Sequence, residues 1–151
     1  MPYGHLFFVN SHLNRNFERA CRKSICVEIE KEMTTIDLGK RGEEEALRFL
    51  ESKGMKLLDR NWRSGYREID LVMEGEDGLH IVEVRSLTES GNIPYESIDR
   101  RKQRMVMSAA ARYVYEKRIH AEVRFDVVSV VFGKGDAVYI EYFADAFAPQ
   151  W

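Results

Sequence analysis

The sequence predicts an α/β protein in which a mixed five-stranded sheet is flanked by helices. Two stretches, residues 38–53 and 97–117, space their apolar residues three and four apart, as amphipathic helices do. Five shorter stretches have the apolar pattern of strands: residues 55–62, 66–73, 79–85, 122–132 and 137–143. The order is therefore helix, three strands, long helix and two strands, which is typical of a mixed sheet covered by helices.

Length and composition limit the function classes. A chain of 151 residues with 44% hydrophobic and 32% charged residues is most simply one domain with its own core. The net charge of −2 excludes a generally basic protein, so any contact with nucleic acid must come from a local patch. Cys21 and Cys26 match no zinc or redox spacing, and no stretch is long and apolar enough to span a membrane. We expect a cytoplasmic protein.

Residues 1–34 are predicted to be an N-terminal extension, and residues 35–151 hold the patterned domain. The spacing of Phe17, Cys21 and Ile25 predicts a helix over residues 14–31. Met33 directly precedes the patterned domain, so the natural start could lie there. A mass spectrum of the native protein that shows residues 1–32 would rule this out.

The first helix of the domain, predicted over residues 38–53, carries an acid on its inward side. Residues 34–37 offer caps for it. Glu43 lies three residues before Ala46 and four before Leu47, which places it on the apolar stripe. Two interpretations stay open. Glu43 is either an acid that favours the helix dipole or a carboxylate directed at acids elsewhere in the fold.

Two more acids interrupt the apolar strands around the turn at residues 74–78. Side chains alternate across a strand, so we expect Ile69, Leu71 and Met73 on one face and Asp70 on the other. In the next strand, the alternation groups four side chains on one face: Leu79, Ile81, Glu83 and Arg85.

The buried acids need a partner. Burial of an unpaired carboxylate is costly, so Asp70 and Glu83 each require a cation, a proton or several hydrogen-bond donors. One divalent metal could satisfy both, and Mg²⁺ prefers such oxygen ligands. A bound metal can lower the pKa of its water and stabilise charge on a phosphate, and Arg85 could assist there.

Basic and aromatic residues alternate after the first strand: Arg60, Trp62, Arg63, Tyr66 and Arg67. This composition suits contact with phosphates and stacking with bases. The other interpretation is an ordinary solvated loop whose two aromatic side chains are anchored in the core.

The long helix carries a lysine within its apolar stripe. Lys102 lies four residues after Ile98 and three before Met105. It either snorkels at the edge of the stripe or reaches toward a phosphate or the acidic pair. Three arginines point to the other sides: Arg100, Arg101 and Arg104. The polar residues 86–94 before this helix are predicted to form a flap, and Asp126 is expected to have a structural role with an arginine partner.

Several motifs together resemble the YraN family, uncharacterised bacterial proteins of the PD-(D/E)xK, or restriction endonuclease-like, superfamily. The similarity covers residues 38–147 and rests on Gly39-Lys40-Arg41-Gly42-Glu43 with Ala46, Asn61-Trp62-Arg63, Glu68-Ile69-Asp70-Leu71, Val82-Glu83-Val84-Arg85, Lys102, and Arg124-Phe125-Asp126-Val127-Val128. The chain is also similar to archaeal Holliday-junction resolvases, which combine a helix glutamate with strand acids.

The resemblance implies a restriction endonuclease-like core for residues 35–151 and a Mg²⁺ or Mn²⁺ site built from Glu43, Asp70 and Glu83. Lys102 matches a recurring lysine that lines the site. The family usually has glycine where this chain has Arg67, and lysine where it has Arg85. Lysine can lose its proton when desolvated, whereas arginine does not, so Arg85 cannot act as a general base.

The resulting expectation is a metal-dependent endonuclease that acts on DNA, including branched or structured DNA. Its catalytic residues would be Glu43, Asp70, Glu83 and Arg85. The nucleic-acid backbone would be held by Lys102, Arg100, Arg101, Arg104, Arg60 and Arg63. The alternative is a non-cleaving nucleic-acid-binding or adaptor protein on the same fold, or a structural domain with a satisfied polar network. A homodimer is compatible with either, because junction-resolving nucleases act in pairs.

Overall fold

The computed structural model describes residues 5–9, 34–88 and 98–148. Its elements in chain order are β1 (His5–Val9), α1 (Thr35–Ser52), β2 (Lys56–Ser64), β3 (Arg67–Gly75), β4 (Gly78–Thr88), α2 (Arg100–Lys117), β5 (Val123–Phe132) and β6 (Val138–Phe143). The predicted helix over residues 14–31 lies outside the described residues. So does most of the predicted flap over residues 86–94.

The strands form one sheet in the order β1-β6-β5-β4-β3-β2. β4 and β5 pair in parallel across the α2 connection, and every other neighbouring pair is antiparallel. The predicted mixed sheet of five strands flanked by helices is confirmed, and β1 extends it by an edge strand. No helix in the described ranges combines the length and the apolar content needed to cross a membrane.

The two helices cover opposite faces of the sheet. α1 packs through Ala46 and Leu50 on a cluster that includes Val82, and α2 packs through Ala109 and Tyr113 on a second cluster. Both helices begin at a capping side chain, and that of α1 lies among the predicted residues 34–37. The Thr34 hydroxyl accepts a hydrogen bond from the Asp37 N–H at 3.2 Å, and the Asp99 carboxylate accepts one from the Lys102 N–H at 2.8 Å.

The alternation of β3 breaks at Asp70. Leu71 and Met73 pack on the α1 side, whereas Ile69 packs with Val72 on the α2 side. The prediction that Ile69 shares a face with Leu71 and Met73 is therefore wrong. The side chains of β3 change face because the ladder between β3 and β4 ends here, and its last pair is Leu71 with Val82. Beyond this pair the two strands separate.

Close packing of α1 on β4 depends on Gly42. A Cβ atom at this position would overlap the Ser86 hydroxyl and lie 2.7 Å from the Ser86 Cβ. Glycine therefore brings the first half of α1 against the strand that carries Glu83 and Arg85. This approach positions Glu43, the next residue of the helix, near β4.

A buried polar network crosses the α1 side of the sheet. Asp126, which is fully buried, accepts hydrogen bonds from the Tyr142 hydroxyl at 2.7 Å and the Asp145 N–H at 2.9 Å. It also lies 2.6 Å from His80 Nδ1, and the other ring nitrogen of His80 lies 2.9 Å from Asp77. The hydrogen bond with Asp126, opposed by burial, raises the pKa of His80.

The prediction that Asp126 pairs with an arginine is wrong. The guanidinium of the neighbouring Arg124 instead binds Asp145 at 2.5 Å and Asp77 at 3.0 Å. Arg124 lies two residues before Asp126, so the alternation of the strand puts both side chains on the same face, where Asp145 and Asp77 bind the guanidinium. The cation that Asp126 requires is supplied by His80.

Candidate functional site

Four predicted catalytic residues line one cavity of about 940 Å³, here called the acidic cavity: Glu43, Asp70, Glu83 and Arg85. α1 contributes Glu43, β3 contributes Asp70, and β4 contributes the other two. The cavity lies where β3 and β4 separate. Ser86, Ser129 and Gln103 also line it, and the sequence alone gave no signal for these three.

The Asp70 carboxylate makes a hydrogen bond to β4 beyond the point where the backbone pairing of β3 with β4 ends. Its Oδ2 accepts a hydrogen bond from the Val84 N–H at 2.8 Å, so a side chain pairs with β4 where the backbone of β3 does not. Burial, reinforced by the negative charge of Glu83, raises the pKa of Asp70 to about 7, against the opposing effects of the Val84 N–H and Lys102. Near neutral pH, Asp70 therefore holds a proton for much of the time or requires a cation.

Glu83 is only 5% exposed and is held by cations. Lys102 Nζ lies 2.9 Å from Glu83 Oε1, and Arg85 Nε lies 3.9 Å from the same oxygen. Of the two interpretations of Lys102, the structure therefore favours the cation that reaches the acidic pair. Lys102 crosses from α2 to β4 and fixes one end of that helix beside the cavity.

Glu43 is turned toward β2. Its Oε2 accepts a hydrogen bond from Asn61 Nδ2 at 2.9 Å and lies 3.6 Å from Arg60 Nε. Asn61 has a φ of 51°, a left-handed conformation that asparagine tolerates better than most residues. Asn61 is a site residue that sequence reasoning missed, because its contact depends on how α1 packs against β2.

The three acids do not form one preassembled ligand group. Within residues 34–88 and 98–148, no three His, Cys, Asp or Glu side chains are grouped closely enough to hold a metal ion. Asp70 and Glu83 remain as a pair, and burial together with the negative charge of Glu83 raises the pKa of Asp70. Two carboxylates that repel each other in a cavity are a donor set that fits Mg²⁺ or Mn²⁺, since these ions retain several waters when few protein oxygens bind them.

The residues predicted to hold the nucleic-acid backbone lie in different environments. Arg60 binds Glu44 at 2.8 Å and Arg63 binds Glu68 at 2.7 Å, so both are already engaged by acids. The other arginines are exposed in the first turns of α2: Arg100, Arg101 and Arg104. Their position places positive charge at the end of α2 that also carries Lys102.

Fold and site together define an α/β protein in which a half-buried and a buried acid, Asp70 and Glu83, pair where two strands of a mixed sheet separate. The chain belongs to the Uncharacterised protein family UPF0102, whose model matches residues 42–130, and this confirms the resemblance to the YraN family. The matched residues include Glu43, Asp70 and Glu83.

UPF0102 proteins of several bacteria match about three quarters of the chain. A UPF0102 protein of Rhodococcus opacus (strain B4) is 41% identical over 112 residues, which are 73% of this chain and 95% of the relative. A UPF0102 protein of Myxococcus xanthus (strain DK1622) is 40% identical over 74% of this chain and 89% of its own length. A UPF0102 protein of Porphyromonas gingivalis (strain ATCC BAA-308 / W83) is 41% identical over 74% of this chain and 84% of its own length.

Proposed function

We propose that this protein is a metal-dependent phosphodiester hydrolase that acts as an endonuclease on nucleic acid, and on DNA in particular. The observation that carries the proposal is the Asp70–Glu83 pair, in which burial and then the negative charge of Glu83 raise the pKa of Asp70 to about 7 inside a cavity lined by Arg85. Such a pair is stabilised by a proton on Asp70 or by a bound cation, and a divalent metal ion would supply the cation. We expect the protein to work in the cytoplasm.

Asp70 and Glu83 would hold Mg²⁺ or Mn²⁺. When bound, the ion supplies a water of lowered pKa and stabilises charge on the phosphate. The chain's own residues prepare the site for it. The Val84 N–H orients the Asp70 carboxylate, and Lys102 forms an ion pair with the almost completely buried Glu83.

Arg85 would bind the phosphate. Its side chain is 49% exposed and lines the acidic cavity, so its guanidinium can donate hydrogen bonds to a phosphate that enters from solvent. Arginine does not lose its proton, so Arg85 stabilises negative charge and leaves proton abstraction to other groups. The exposed arginines at the start of α2 would hold the adjoining backbone.

A second candidate is a nucleic-acid-binding protein that does not cleave. Two observations favour it. Arg85 ends the motif Val82-Glu83-Val84-Arg85, where the family usually has lysine, and the Glu43 carboxylate is already bound by Asn61 and Arg60. Binding of a DNA junction that persists in EDTA and in Asp70→Ala, with no product formed, would support this candidate.

The test is a cleavage assay with the full chain. Linear, nicked and four-way-junction DNA are incubated with Mg²⁺, with Mn²⁺ and with EDTA. We expect cleavage that requires the metal and that Asp70→Ala reduces by more than about a hundredfold, because loss of even an outer partner of a metal ligand costs about ten- to a hundredfold. Glu68→Ala is the matched control, since Glu68 lies on the same strand and pairs with Arg63 at the surface.

The fold of Asp70→Ala should be intact, which circular dichroism and thermal melting would verify. Intact DNA under every metal condition, with correctly folded wild-type protein, would contradict the proposal. Cleavage that Asp70→Ala retains would contradict the assignment of the site.

A further inference from the structure

A second groove lies between the β2–β3 turn and the middle of α2, and we call it the tyrosine groove. It has a volume of about 680 Å³ and is lined by Ser64, Gly65, Arg67, Ser108, Arg112 and Tyr115, with Ala111 at its base. Tyr66 occupies the turn between Gly65 and Arg67. Tyr66 and Tyr115 are 76% and 77% exposed, and they are the most exposed large hydrophobic side chains in the described part of the chain.

Each tyrosine is paired with an arginine. The Arg67 guanidinium lies 4.9 Å from the centre of the Tyr66 ring, and that of Arg112 lies 6.0 Å from the centre of the Tyr115 ring. Arg67 also donates a hydrogen bond to the Ser108 hydroxyl at 2.9 Å, which fixes the turn against α2. No carboxylate is among the residues that line the groove, but Glu116 at its edge accepts a hydrogen bond from Arg112 at 2.5 Å, so Arg67 contributes most of the positive charge that a ligand could use.

This chemistry favours a nucleic-acid strand over an apolar partner. Exposed aromatic rings stack with bases, and arginines nearby neutralise the phosphates between them. The other aromatic residue of this segment, Trp62, packs edge-on against Tyr113 at 5.2 Å and belongs to the core. Of the two interpretations of this segment, core anchoring therefore applies to Trp62, and base stacking is open to Tyr66.

β3 and α2 each connect the tyrosine groove to the acidic cavity over a short distance. Asp70 lies three positions after Arg67 in β3, a distance of about 10 Å along the strand. Ser108 lies six positions after Lys102 in α2, a distance of about 9 Å along the helix axis. Contacts fix both ends of this path: Lys102 with Glu83, and Arg67 with Ser108. A stacked strand rises about 3.4 Å per nucleotide, so about three nucleotides span the distance.

We propose that the tyrosine groove binds unpaired nucleotides next to the phosphodiester held at the acidic cavity. The substrate class is then nucleic acid with a single-stranded segment, such as a flap, an end or the open centre of a branch. In a duplex the faces of the bases are stacked on each other and cannot reach the tyrosines. This inference rests on the proposed function for the position of the strand, and its binding step is independent of cleavage.

The experiment measures binding by fluorescence anisotropy in EDTA, with the full chain. The probes are a fluorescein-labelled oligothymidylate and a labelled duplex of equal length. We expect the double variant Tyr66→Ala/Tyr115→Ala to bind the single strand at least tenfold more weakly, since stacking on one base contributes about 1–3 kcal/mol. Tyr66→Phe/Tyr115→Phe keeps both rings and should stay within about twofold of wild type. Duplex affinity should change by less than about twofold.

Both rings are exposed, so the substitutions should leave the melting temperature unchanged. Equal losses on single strand and duplex, or no loss on either, would overturn the inference. So would a wild-type dimer that the alanine variant converts to a monomer, because the groove would then be an interface between copies. An oligouridylate probe distinguishes RNA from DNA as the source of the strand.

The two proposals fail in distinguishable ways. If the wild-type protein never cleaves but the tyrosines control single-strand binding, only the nuclease activity is refuted. If Asp70-dependent cleavage occurs and the tyrosine variants cleave and bind like wild type, only the role of the groove is refuted.

Discussion

Asp70→Asn should stabilise the metal-free protein at pH 8 and leave its stability almost unchanged below pH 4. Asparagine can still accept the hydrogen bond from the Val84 N–H, so the packing is retained while the buried charge is removed. A raised pKa means that burial of the ionised carboxylate opposes folding. We expect the melting temperature at pH 8, in EDTA, to rise by roughly 5–10 °C.

The pH window follows from the pKa values. Between 3.8, the ordinary value, and about 7, the folded protein retains a proton on Asp70 that the unfolded chain has released. The folded state binds more protons there, so wild-type stability falls as the pH rises through this window. Asp70→Asn should therefore show a flatter pH profile between pH 4 and 7 than wild type.

The control for this prediction is Glu68→Gln. It makes the same chemical change on the same strand, at a side chain that is 39% exposed and paired with Arg63. We expect its melting temperature to follow that of wild type at both pH values. If Asp70→Asn melts at or below the wild-type temperature at pH 8, then the Asp70 carboxylate is not destabilised by burial, and the need for a cation disappears.

Asp126→Ala should cause the largest loss of folding stability, about 3–5 kcal/mol, because it removes the buried one of the two carboxylates that bind His80 and leaves only the exposed Asp77. The Tyr142 hydroxyl and the Asp145 N–H would lose their acceptor as well. Urea unfolding at pH 6 measures the loss. The control is Glu116→Ala, which removes a surface ion pair with Arg112 and should cost less than about 1 kcal/mol.

The loss of stability in Asp126→Ala should be larger at low pH than at high pH. The pKa of His80 is raised in the folded protein, so its ion pair with Asp126 contributes full stability below pH 6.5 and loses it as the pH rises through the folded-state value. The difference in free energy of unfolding between wild type and Asp126→Ala should therefore become smaller as the pH rises through the folded-state pKa of His80. A loss below 1 kcal/mol at pH 6 would show that the network does not hold the α1 side of the sheet together.

The sequence predicted most of the fold because its signals are local. The caps of α1 and the alternation of β4 depend on residues close in the chain, and the structure agrees with both. β1 was not predicted, since five residues carry little pattern and their place depends on pairing with β6, far along the chain. The sequence predicts the wrong face for Ile69 because the ladder between β3 and β4 ends at Leu71 and Val82, and the place where pairing ends is not visible in local alternation.

The candidate site was predictable to the same extent. A carboxylate inside an apolar strand is visible in the sequence, so Asp70 and Glu83 were found, whereas helical spacing left Lys102 either at the edge of the apolar stripe or directed at a phosphate or at the two acids. The partners of Glu43 were not visible, because Asn61 lies 18 residues away and meets it only after α1 and β2 have packed. His80 and Asp126 were missed as a pair for the same reason, with 46 residues between them.

The most direct test of the account is a carboxyl ¹³C NMR titration of Asp70 in the full chain, in EDTA and in saturating Mg²⁺. The account predicts a midpoint at about 7 without metal, and a clear downward shift with Mg²⁺, because a bound cation favours the ionised carboxylate. A midpoint close to 3.8 in EDTA, or one that Mg²⁺ does not move, would contradict the claim that Asp70 and Glu83 form a buried pair built to share a divalent ion.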